Sequence, residues 1–372
     1  MADLLIRRNI LQNVASCYVH IPFCKKICNY CDFPKWLYNE GIVKKYLKAL
    51  RNEIIDIYKG ENLKTLYIGG GTPSCLSSYE LKELFSILKI LKIDSSCEIT
   101  IECNIEDITK EKLELFKEFG INRLSIGIET TCKNHFKFLG RSIDKEEVKE
   151  KIKLCKKLGF DNINLDLMYA FLNQTKDEVK SDVEFLLSLD VSHISTYSLQ
   201  IEKHTKLSID KVKPIDSDLD AEFYFVICNM LKENGYNHYE ISNFAKENME
   251  SKHNLVYWKN LEYYGFGLGA ASYLANKRIT NTKGMNNYIN GNRVVESVEL
   301  EDIDKAYYEL ILALRTKEGV LKENLLKKYN GNIKKWYNID LLLKQGLLKE
   351  NSTHYYIEEK NFYILNSILV KL

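Results

Sequence analysis

The chain has 372 residues, 45% of them hydrophobic and 28% charged, with a formal charge of +2. That length suits one large globular domain beside a smaller one, and the balanced charge argues against a nucleic-acid or anionic-membrane surface. With no N-terminal h-region and no long apolar run, the expectation is a cytoplasmic protein without a transmembrane segment.

Strand patterns run over 15–21, 64–68, 97–101, 122–126, 161–166 and 192–197, with helix patterns near 40–58, 78–91, 109–119, 144–158 and 175–188 between them. Repeated β-α steps imply parallel strands with right-handed crossovers. Periodicity leaves two geometries open, a doubly wound sheet or a partial barrel. In both, ligands gather at the carboxyl ends of the strands.

The first strand ends at Pro22, which blocks further pairing, and Cys24, Cys28 and Cys31 follow in a CxxxCxxC spacing. Three thiolates from one loop suit a soft iron site, and a cluster held by three cysteines keeps one iron open. Zinc sites usually bring a second ligand pair, and none lies nearby. The other cysteines (Cys75, Cys97, Cys103, Cys132, Cys155 and Cys228 among them) sit singly in apolar segments as buried thiols of a reducing compartment.

The second strand runs into Gly69-Gly70-Gly71-Thr72-Pro73, where the backbone can approach a ligand closely or simply turn. The third ends at Glu102. Downstream lie Glu129, Arg141 and Asp166, each near a strand or helix end. Residues 203–220 read as a crossing loop before a helix at 218–234. Tyr264-Gly265-x-Gly267-x-Gly269 mimics a dinucleotide fingerprint. It lacks a clear preceding strand and a βαβ setting, so a Rossmann site is rejected. His253-Asn254-x-x-Tyr257-Trp258 offers an imidazole and flat aromatic rings, which serve as a heme site or as a packing cluster. From about 300 the pattern is helical, with a hairpin-like run at 347–357, and no dense basic recognition face is present.

The string His20-Ile-Pro22-Phe23-Cys24-x-x-x-Cys28-x-Tyr30-Cys31-Asp-Phe33 resembles the HemN/HemW group of the radical S-adenosylmethionine (SAM) superfamily. The resemblance extends over nearly the whole chain. It implies an α/β fold: a six-stranded partial TIM-like barrel over 1–235, a connecting HNxxYW and Gly-rich segment over 236–300, and a small, mainly helical, winged-helix-like domain over 301–372. It implies a [4Fe–4S] cluster on Cys24, Cys28 and Cys31. SAM would contact Tyr18, Tyr30, Gly70, Gly71, Thr72, Glu102, Glu129, Arg141 and Asp166, and heme would contact His253, Tyr257 and Trp258. The chain departs from the group pattern at Ile105 (for Pro), Glu129 (for Gln), Ile143 (for His) and Ala170-Phe-Leu-Asn173 (for Gly-Leu-Pro-Gly).

Within this group, the oxygen-independent coproporphyrinogen III dehydrogenases carry a further cysteine two residues after the third. Here that position is Phe33. The resemblance therefore implies the heme chaperone branch, a protein that binds heme and hands it to an acceptor hemoprotein rather than an enzyme. The alternative is the radical SAM oxidoreductase that decarboxylates a porphyrinogen. A homodimer and a peripheral membrane contact are compatible with the resemblance, and no nucleic-acid partner is expected.

Overall fold

The computed structural model describes residues 14–372. Residues 1–13, where no apolar leader is expected, lie outside the described residues. Six strands form the scaffold: β1 Ser16–Ile21, β2 Leu63–Gly70, β3 Ile93–Asn104, β4 Arg123–Glu129, β5 Asn162–Tyr169 and β6 His193–Ser198. They pair in chain order, all parallel. Between them run α1 Glu40–Ile57, α2 Ser78–Leu88, α3 Lys110–Phe119, α4 Lys133–Leu139, α5 Lys145–Lys157 and α6 Lys176–Ser188.

Local chemistry sets these boundaries. Ser77 and Glu80 close a capping box on α2, and Thr175 and Glu178 do the same on α6. The α3 helix starts at the Thr109 cap and ends at Gly120, whose φ of 98° needs a residue without Cβ.

The strands alternate strictly. Leu66, Ile68, Ile99, Ile101, Leu124, Ile126, Ile163, Leu165 and Ile194 belong to the apolar core, each contributing about 1.5–3 kcal/mol by burial. The residues between them, including Tyr67, Glu102, Arg123, Ser125, Asn164, Asp166, Ser195 and Tyr197, line an internal cavity. Parallel strands buried on both faces normally read as continuous apolar runs. Here one face is polar because it encloses space rather than core.

Three further strands extend the sheet to nine. The hairpin β7 Asn237–Glu240 and β8 Asn243–Ala245 adds antiparallel to β6. On the other edge, β9 Tyr264–Phe266 pairs parallel with β1. The glycine run thus begins inside a three-residue edge strand. The glycines serve close backbone packing: a Cβ on Gly265 would meet the Ala271 carbonyl at 1.8 Å, and one on Gly267 the His20 carbonyl at 2.6 Å. The stretch carries no dinucleotide fold.

Between the hairpin and β9 lies α8 Lys252–Trp258, preceded in the chain by α7 Ser217–Glu233. A short helix, Lys206–Ile209, interrupts the expected crossing loop. After residue 300 come the helix Asp302–Ala313, four short helices and a three-stranded antiparallel sheet. This part docks on the hairpin edge, where Ile241 N–H donates to Arg315 O and Lys317 N–H to Tyr239 O, both at 3.0 Å. No described helix is long and apolar enough to cross a membrane.

Candidate cofactor and ligand site

The cysteine loop leaves β1 at its carboxyl end. A short parallel pairing of Phe23–Cys24 with Trp36–Leu37 closes its base, with Tyr38 N–H donating to Cys24 O at 2.9 Å. Asn29 ties its tip across the barrel mouth. Its backbone N–H donates to Leu139 O and its side-chain amide to Phe138 O, both at 2.9 Å. The neighbouring Gly140 has φ of 72°, and a Cβ there would meet Asn29 Oδ1 at 3.0 Å. The loop that carries the cysteines is thereby fixed to the segment that carries Arg141.

Cys24 is buried, and Cys28 and Cys31 are half-buried. The Thr72 hydroxyl lies 3.8 Å from Cys24 Sγ, and a Cβ on Gly71 would meet that sulfur at 2.9 Å. Burial pushes the Cys24 thiol up to about 11 and raises Cys28 and Cys31 in the same direction, so metal binding there must displace protons. Among the described residues, no three His, Cys, Asp or Glu side chains surround one point closely enough for a single ion.

Beside the loop, a compartment of about 130 Å³ is lined by Phe33, Gly71, Thr72, Glu102, Glu129, Arg141 and Asp166, with Cys103, Asn104, Ser125 and Gly127 completing its wall. Six of the sequence-nominated SAM residues thus share one wall. Glu102 accepts from Gly70 N–H at 2.8 Å and from the Tyr67 hydroxyl at 2.9 Å. Burial raises its carboxyl to about 7, with the Gly70 bond opposing. Burial also raises Asp166, against the pull of its Asn164 hydrogen bond.

Glu129 has a left-handed backbone, φ 60°, at the end of β4. For a residue with a side chain that is strain, of the kind that gathers at functional sites. Its Oε1 accepts from the Tyr30 hydroxyl and from Arg141 Nη1, both at 3.1 Å. Arg141 Nη2 donates to Gly127 O at 2.6 Å. Glu129 Oε2 and Arg141 Nε are buried without a partner. An orphaned acceptor and donor on the same wall fit a zwitterionic ligand.

The other nominated residues lie elsewhere. Gly70 supports Glu102 through its N–H and lines neither compartment. Tyr18 also lines neither; its hydroxyl meets His20 Nδ1 at 2.9 Å and its ring stacks on Tyr67.

A second compartment of about 450 Å³ adjoins the first and runs down the barrel. Tyr30, Phe33, Tyr197, Leu199, Gln200 and Glu202 line it together with Tyr67, Arg123, Asn164 and Ser195, and Asn254 of α8 also contributes. Phe33 is 62% exposed and Tyr197 43%. The sequence pattern does carry a signal for this wall, in the alternating Arg123-x-Ser125, Asn164-x-Asp166 and Ser195-x-Tyr197.

His253 sits differently from its expected role. It is 1% exposed. Nδ1 meets Thr65 Oγ1 at 2.8 Å, Nε2 meets the Tyr257 hydroxyl at 2.7 Å, and its backbone N–H donates to Glu98 at 3.0 Å. Burial drives its imidazole down to about 3. Both ring nitrogens are engaged, so none is free for an axial metal bond in this conformation. Tyr257 and Trp258 line neither compartment. The physical reason is that Thr65, near the amino end of β2, is paired with Glu98 of β3, and α8 packs against both there. HNxxYW builds the floor, and only Asn254 reaches the cavity.

The comparisons with known proteins agree with this geometry. The profile of the Radical SAM superfamily matches residues 18–186. The chain is 37% identical to the heme chaperone HemW of Lactococcus lactis, covering 97% of this chain and 98% of that one. It is 35% identical to the HemW of Bacillus subtilis, covering 95% and 97%. The chain belongs to the HemW family. The solved structure of the radical SAM enzyme coproporphyrinogen III oxidase from Escherichia coli superposes with a TM-score of 0.85 at 20% identity, over 96% of this chain and 90% of that one. That likeness shows a shared fold, in line with the expected partial barrel.

Proposed function

We propose that this protein binds heme and passes it to an acceptor hemoprotein, with a [4Fe–4S] cluster on Cys24, Cys28 and Cys31 and SAM beside it. The observation that carries the reading is the near full-length relationship to the heme chaperone HemW, joined to Phe33 at the position of a fourth cysteine. Bound at the three thiols, the cluster would supply an open iron to a small ligand.

The chain's own residues account for the rest. Glu102, Glu129 and Asp166 place three carboxylates in one desolvated wall beside a single guanidinium, Arg141. That surplus of negative charge suits SAM, whose sulfonium and ammonium outweigh its one carboxylate. The Arg141 fork suits the carboxylate and Glu102 the ammonium. The larger compartment, with Phe33 and Tyr197 at its exposed rim, suits a planar ligand.

The test starts from anaerobically reconstituted protein titrated with heme, followed by addition of an apo-hemoprotein. A saturable Soret change that moves to the acceptor is expected. Formation of protoporphyrinogen from coproporphyrinogen III, in the reduced protein with SAM, would overturn the chaperone assignment in favour of an oxidoreductase.

A further inference from the structure

Arg123 is the largest fully buried side chain of the described residues, at 1% exposure. It is the first residue of β4, paired with Thr100 on one side and Asn162 on the other. Its Nε has no hydrogen-bond partner, and its guanidinium makes no ion pair with a described residue. Thr100 Oγ1 and Asn162 Oδ1 beside it are also buried and unpartnered. Its charge reaches Glu102 and Asp166 without an ion pair and favours their ionised forms. A desolvated guanidinium left in this state is costly, and proteins rarely keep one without a counter-ion.

The contrast with Arg141 is sharp. Arg141 faces the smaller compartment and is already paired with Glu129 and Gly127 O. Arg123 faces the larger compartment and is not paired. Around it stand Tyr67, Asn164, Ser195 and Asn254, all able to hydrogen-bond, below the aromatic rim of Phe33 and Tyr197.

Resting on the heme reading above, we infer that Arg123 is the carboxylate anchor of the larger compartment and takes a propionate of a tetrapyrrole. The planar ring lies toward Phe33 and Tyr197, and one acid arm reaches down the barrel to the guanidinium. Arg141 is left to SAM, so the two forks serve two ligands. No bond is made or broken in this step.

The experiment titrates the cluster-loaded protein with iron protoporphyrin IX and, separately, with its dimethyl ester. The diacid should bind about tenfold or more tightly, the scale of one charge-assisted hydrogen bond. In Arg123→Gln that preference should collapse toward unity while thermal unfolding and SAM binding report an intact fold. Should Arg123→Gln fail to fold, Arg123→Lys carries the test: a point charge without the fork loses most of the preference. Equal binding of diacid and diester by the natural chain, or a preference unchanged in both variants, overturns the Arg123 assignment alone. Absence of saturable binding of either pigment by the natural chain removes the heme reading itself.

Discussion

Two regions of this chain carry ligand-like motifs, and their titratable side chains are in opposite states. At the mouth of the barrel, Glu129 Oε2 and Arg141 Nε are buried and unpaired, and Arg123 Nε is unpaired deeper in the same space. At the floor, His253 has both ring nitrogens and its backbone N–H bonded, and of this motif only the Trp258 indole Nε1 is left buried without a partner. Buried polar groups are normally satisfied, so orphans mark where something else belongs. A motif rich in His, Tyr and Trp therefore became a plug, while a loop of three cysteines stayed open beside a cavity.

The largest effect should come from breaking the open region. Cys31→Ser should abolish cluster assembly after anaerobic reconstitution, with iron content and visible charge-transfer absorbance falling to background. Retention of both would show that the loop does not hold the iron.

The floor should answer differently. His253→Ala removes two side-chain hydrogen bonds and leaves a cavity, and should cost about 2–4 kcal/mol in urea unfolding. Its neutral state also links stability to pH. The folded imidazole titrates at about 3, well below its ordinary value. Its contribution is thus complete above the unfolded pKa of about 6.5 and declines as pH falls toward the folded value, by about 1.4 kcal/mol per unit. Near pH 5 the natural chain should lose about 2 kcal/mol from this group relative to pH 7, and His253→Asn should not show that term.

At the mouth, pH acts on ligand binding instead. Glu102 titrates at about 7 in the free protein, and its ionised form favours a cationic ligand. SAM affinity should fall about tenfold from roughly pH 8 to roughly pH 6. Glu102→Gln should bind weakly at both values, as read by equilibrium dialysis.

The smallest effect concerns the rim. Ala170 and Asn173 stand where the group pattern has glycine, and both keep left-handed backbones, φ 68° and 62°. The turn is retained under strain, and Ala170→Gly should stabilise the chain by about 1 kcal/mol in the same unfolding assay.

Much of this was legible in the residues. The six parallel strands fall within a few residues of the expected stretches, because Pro22, the Ser77 and Thr175 caps and Gly120 punctuate them. Gly71, Thr72, Glu102, Glu129 and Arg141 converge because each stands near or beyond the carboxyl end of its strand, and Asp166 meets them from inside β5. Other features were hidden. Tyr264–Phe266 is a three-residue edge strand inside a glycine pattern, too short to show a period. Arg123 reads as one cation in an alternating run, and nothing local says that its partner is missing. His253 is bonded by Thr65 and Glu98, which lie more than 150 positions away in the sequence. Tertiary saturation of this kind has no local signature.

The most direct measurement is a heme titration of cluster-loaded His253→Gln against the natural chain, with matched folding checked by thermal unfolding. Heme held in the open compartment predicts the same saturable Soret change in both. Loss of that change in a folded His253→Gln protein would place the heme on the floor motif and contradict the account.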